Sequence, residues 1–154
     1  MSKSTFGFDR AEQSLGFLLW QTTALWQRLI KKILEPHKLT HPQFVVLAIL
    51  LWFREHGQEV NQMTIAQWSK LDRMAVSKAL KKLEIDSYVA RSEHSTDPRA
   101  KSVQLTENGL IKITKLVPRI EAVDSLFFSK LSIAKQNRLI DMFITLTGFS
   151  DENI

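Results

Sequence analysis

Residues 61–106 read NQMTIAQWSKLDRMAVSKALKKLEIDSYVARSEHSTDPRAKSVQLT, and the fold turns on this stretch. Asn61 is placed to cap a short helix, Gln62–Ser69. After the turn Lys70-Leu71, Asp72 opens another, Arg73–Asp86. Tyr88–Glu93 and Lys101–Thr106 then alternate apolar and polar residues at period two, joined by His94–Ala100 with turn residues at its centre. That pattern is a β-hairpin with a long loop. Two short helices around a tight turn, followed at once by a hairpin, predict a winged helix-turn-helix.

The flanking sequence is helical. Ala11 to about Leu34 forms a first helix whose apolar residues cover more of its circumference than a single stripe. Such a helix is either the centre of one core or is buried against a second subunit. Thr40-His41-Pro42-Gln43 is a capping box opening a helix that runs to His56 and stops at Gly57. Thr106 caps a long helix, Glu107 to about Leu131, in which Pro118 predicts a kink. Ser132 caps a last one, Ile133–Thr147, ended by Gly148. The expected class is mainly α with a small β-hairpin, a winged helix-turn-helix domain plus a further helical region.

Composition bounds the function. The chain has 154 residues, 44% hydrophobic, enough for a real core. It has no cysteine, which excludes disulfides, thiolate metal sites, a cysteine nucleophile and a thiol redox sensor. The longest apolar run, Phe44–Phe53, is too short for a spanning helix, which needs roughly 18 residues. With no apolar signal segment at the start, a cytoplasmic protein is expected.

The net charge of +5 suggests a polyanionic partner. Residues 64–103 hold eight basic and five acidic groups, whereas residues 104–154 hold six of each, so the excess is densest over the helix pair and hairpin. On Arg73–Asp86, Val76, Ala79, Leu80 and Leu83 form an inner face at helical spacing. Met74, Ser77, Lys78 and Lys81 lie opposite, with Arg73 and Lys82 at the margins and no acid between them. That face offers charge for phosphates and a hydroxyl and a methyl group for base edges.

At this point the residues resemble the MarR family of transcriptional regulators. The resemblance rests on Leu39-Thr40-His41-Pro42-Gln43, Ile65-Ala66, Val76-Ser77-Lys78, Leu83-Glu84-Ile85-Asp86-Ser87-Tyr88-Val89, Asp97-Pro98-Arg99 and Leu105-Thr106-Glu107-Asn108-Gly109, in order and at compatible spacings over about residues 11–147. Two positions depart from the pattern: Lys70 and Ser87 stand where the family often has glycine. At Ser87 either a mildly strained left-handed backbone or a different helix end is then expected, which bears on the aim of the wing.

The resemblance implies a single chain, 1–154, with a DNA-binding lobe at 40–106 and a helical dimerisation region at 8–37 and 107–150. It implies a homodimeric repressor on a pseudo-palindromic operator, with the 73–86 helix in the major groove and the wing, 94–100, at the minor groove. The expected DNA contacts are Arg73, Met74, Ser77, Lys78, Lys81, Arg99 and Lys101, with Asp97 shaping the wing and His94 a further phosphate contact. Family members commonly respond to small aromatic or anionic ligands. Trp20, Trp26, Phe44 and Trp52 are candidates to line such a cleft, with Arg28 or His41 meeting an anionic group.

Other functions find less support. Ser132-Ile-Ala-Lys135 matches a serine acyl-enzyme pattern, but Ser132 reads as a helix cap and the companion motifs are absent. His37 and His41 have a zinc-like spacing, but the helix start between them separates their faces. No enzyme, metal or cofactor is expected. The main alternative is a winged-helix protein-interaction module without specific DNA readout.

Overall fold

A computed structural model describes residues 4–93 and 101–150. Helix α1 spans Leu15–Leu34 and α2 spans His41–Glu55; the helix pair is α3, Gln62–Ser69, and α4, Arg73–Ile85. Strands β1, Val89–Glu93, and β2, Lys101–Leu105, form the hairpin, followed by α5, Glu107–Phe128, and α6, Ile133–Thr147.

Short-range side-chain chemistry starts most of these helices. Asn61 accepts from Thr64 N, Asp72 from Ala75 N and Thr106 from Gly109 N, each occupying an otherwise unpaired amide of a first turn. Thr40 and Gln43 complete the expected capping box. The first helix starts later than expected. Ala11–Gln13 is a 3₁₀ turn, and Ser14 accepts from Phe17 N to open α1 at Leu15. At the other end, α5 stops at Phe128, where Ser129 turns back to bond Leu126 O. It remains one helix through Pro118.

The core is a single cluster. Ile30 and Leu34 of α1, the inner face of α2, Ile65 of α3, the inner face of α4, Val89 and Val103 of the hairpin and Ile113, Leu116 and Ile120 of α5 are all buried in it. The hairpin is antiparallel, with Val89 opposite Leu105 and Glu93 opposite Lys101. Asn61 adds a bridge to Ser102, and Val60 O accepts from Val103 N, so the segment before α3 acts as a minimal third strand.

Lys70 and Ser87 are both left-handed, at φ 58° and 60°. The two substitutions for glycine therefore leave the turn and the exit from α4 in the conformation glycine would favour. No helix among the described residues is long and apolar enough to cross a membrane.

Candidate nucleic-acid interface

The packing of α4 sets the site. Val76, Ala79, Leu80 and Leu83 are buried, which turns Arg73, Met74, Lys78 and Lys81 outward. Ser77 is half-buried beside them, and Met74 is 84% exposed, an apolar side chain held in solvent on a basic face. Lys82, at the margin, is partly neutralised by Asp86 at 2.9 Å. Lys78 and Lys81 carry no carboxylate partner among the described residues.

Lys101, at the start of β2, is exposed on the hairpin. Asp97, Arg99 and His94 lie outside the described residues. Sequence reasoning missed what holds the hairpin to the helix pair. Arg91 of β1 reaches Glu84 of α4 at 3.0 Å and donates to Gln62 of α3 at 3.3 Å. Its signal was a long cation at an inward position of a short strand opposite the only acid inside α4. On the far side, Thr106 donates to Ser87 O and its amide donates to Tyr88 O. Gly109 packs so tightly there that a Cβ would lie 2.0 Å from Tyr88 O. The start of α5 is thereby clamped to the end of α4.

The six residues expected to line an effector cleft separate. Trp26, His41 and Phe44 come together, with ring centroids 5.0 and 6.5 Å apart along the series. Trp26 donates its indole N–H to Asp124 of α5 at 2.7 Å, a partner not anticipated from sequence. Burial lowers the His41 pKa from the ordinary 6.5, while the Asp124 carboxylate opposes that shift. Trp52 faces elsewhere, stacked on His56 at 4.3 Å and 6.4 Å from Trp68. Trp20 and Arg28 are exposed on α1. An open cleft of about 480 Å³ adjoins His41 and is lined also by Gln27, Lys31, Glu35, Lys38, Leu39, Thr40 and Pro42.

Ser132 is an N-cap, accepting from Lys135 N at 3.3 Å, which gives the Ser-x-x-Lys pattern a structural role. His37 and His41 meet different elements, the former α5 and the latter α1.

A capped helix pair, an outward basic face on the second helix and an attached hairpin define a winged helix-turn-helix. The ArnR1-like winged-helix domain family matches residues 35–124. The uncharacterized HTH-type transcriptional regulator YdcH of Bacillus subtilis (strain 168) is 38% identical over 132 residues, 86% of this chain and 89% of that protein. Among solved structures, CouR from Rhodococcus jostii RHA1 bound to p-coumaroyl-CoA has a TM-score of 0.82 at 23% identity, covering 91% of this chain and 96% of that one. A mutant MarR from E.coli complexed with operator DNA has a TM-score of 0.74 at 20% identity, covering 86% and 92%. The chain belongs to the ArnR1-like winged-helix family and to the HTH-type transcriptional regulators, and it shares the fold of the MarR structures. Its relatives are regulators, not enzymes.

Proposed function

We propose that this protein is a sequence-specific, DNA-binding repressor that acts as a homodimer on a pseudo-palindromic operator. The observation that carries the reading is the exposed α4 face, where Arg73, Lys78 and Lys81 surround Met74 and Ser77 with no acid between Arg73 and Lys82. In the major groove the lysines and arginine meet phosphates while Ser77 and Met74 approach base edges. Lys101 adds a phosphate contact from the wing. Arg99 enters the minor groove, with Asp97 shaping the loop.

Dimerisation is supported by apolar surface that one chain leaves open. Trp20 is 73% exposed on α1, and no residue of α6 is buried although Ile140, Met142, Phe143 and Ile144 lie along it. So many large apolar side chains left in solvent are the mark of an interface. Two recognition helices related by a twofold axis read half-sites roughly 34–36 Å apart.

A small aromatic or anionic effector fits the junction of α1 and α2. Trp26, His41 and Phe44 supply an aromatic edge, and Lys31 and Lys38 border the adjoining cleft. Asp124 beside Trp26 disfavours a negative group deep in that cluster, so the anionic end faces Lys31 and Lys38, whose two positive charges outnumber the one carboxylate of that cleft, Glu35. CouR, a structural neighbour, was solved with p-coumaroyl-CoA. Selection of duplexes from a random library, followed by binding of Lys78→Ala to the selected duplex, tests the reading. Wild-type affinity in that variant would overturn it, and weak binding with no selected sequence would favour the protein-interaction alternative.

A further inference from the structure

His37 lies in a 3₁₀ turn, Glu35–His37, between α1 and α2, and its ring is placed between two cations of α5. Lys112 Nζ lies 3.3 Å from Nδ1 and Arg119 Nη1 lies 3.1 Å from Nε2. A neutral imidazole has one lone pair and one N–H. It accepts from one of these cations and turns its N–H toward the other, an arrangement with no favourable charge pairing. Lys115, from the same helix, adds to the positive field at the ring. Among the described residues none of Lys112, Lys115 and Arg119 makes an ion pair with a carboxylate. The two sides of this cluster belong to different elements, so the convergence is tertiary. It is not the alternation of charge along one helix.

We propose that His37, Lys112 and Arg119 form a binding site for an oxyanion of phosphate type. A tetrahedral anion seated beside the ring accepts from the ammonium and the guanidinium that flank it and supplies the negative charge that neither cation finds at the imidazole. The site stands apart from the α4 face and from the Trp26–His41–Asp124 group, which contacts a different flank of α5. Lys112 also lies 5.8 Å from the centre of the Tyr88 ring, at the root of the wing. An anion there therefore ties the α1–α2 turn to the part of α5 that carries the hairpin.

Burial, with Lys112, Arg119 and Lys115, lowers the pKa of His37 from the ordinary value of 6.5. A bound anion reverses the charge contribution, so binding and protonation of His37 favour each other. The test follows the His37 ring resonances by NMR in the full chain during titration with sodium phosphate, against sodium chloride at equal ionic strength. Saturable shifts and an upward-moving His37 midpoint with phosphate alone are expected. Lys112→Gln and Arg119→Gln should each weaken the phosphate response about tenfold, with the folded spectrum elsewhere unchanged. Equal responses to chloride and phosphate, or an unaltered response in both variants, would overturn the site. A duplex of random sequence forms the second arm. Shifts with duplex and none with free phosphate would assign the cations to the DNA backbone and overturn the small-anion site.

Discussion

Lys70 and Ser87 hold left-handed backbone at φ 58° and 60° without the freedom of glycine. Each costs roughly 1 kcal/mol relative to an unstrained residue, partly offset because glycine loses more entropy on folding. Lys70→Gly and Ser87→Gly are expected to be neutral or to stabilise by up to about 1 kcal/mol in urea unfolding; a clear loss would mean that these side chains contribute more than their strain. His37 and His41 give a pH signature. Both are held below the ordinary 6.5, so the unfolded chain binds more protons than the folded one. Stability should therefore fall as pH drops below 6.5 toward the folded values, and the slope should shrink in His41→Gln. At this scale the sequence was informative where a residue acts on its own neighbours: the missing glycines drew attention to Lys70 and Ser87, whereas nothing marked Lys38, which is also left-handed at φ 55°. It gave no sign of the partners of His37, because Lys112 and Arg119 are distant in the chain and meet it only when α5 packs beside the α1–α2 turn.

Among elements, the helix starts were the most legible. Asn61, Asp72, Thr106 and Ser132 all cap as expected, since a cap is decided within about one turn. Asp72→Ala should cost about 1 kcal/mol in thermal unfolding and weaken DNA binding with it, because it frays the end of α4 that carries Arg73 and Met74. The effector candidates were less legible for a reason of the same kind. Trp26 and Trp52 are both aromatic residues within apolar helices, yet one bonds Asp124 and the other stacks on His56. Helical periodicity identifies an apolar face but not the element that covers it. The clamp between α4 and α5 shows the same limit: Gly109 appears as part of a short motif, while its need for a bare Cα comes from the carbonyl of Tyr88. Gly109→Ala should displace the start of α5 or cost about 3 kcal/mol or more, measured by unfolding midpoint.

At the scale of the molecule, one core joins all the helices except α6, which has no buried residue. The sequence left open whether α1 was a central helix or a subunit interface. In one chain it is central only in part: Ile30 and Leu34 are buried near its end, while Phe17, Leu19, Trp20 and Leu25 are exposed toward its start. If a second copy covers the exposed apolar residues of α6 together with those of α1, Ile140→Glu combined with Ile144→Glu should yield monomers in sedimentation and abolish operator binding. A folded dimer in that variant would place the interface elsewhere. The charge excess, only +5 overall, takes its meaning from the outward face of α4. The most direct test of that claim is the salt dependence of affinity for a selected duplex, wild type against Lys78→Ala. Weaker binding in the variant and a log–log slope flatter by about 0.9 are expected, because a protein that still folds then neutralises one phosphate fewer. Equal affinity and equal slope in the two proteins would contradict it.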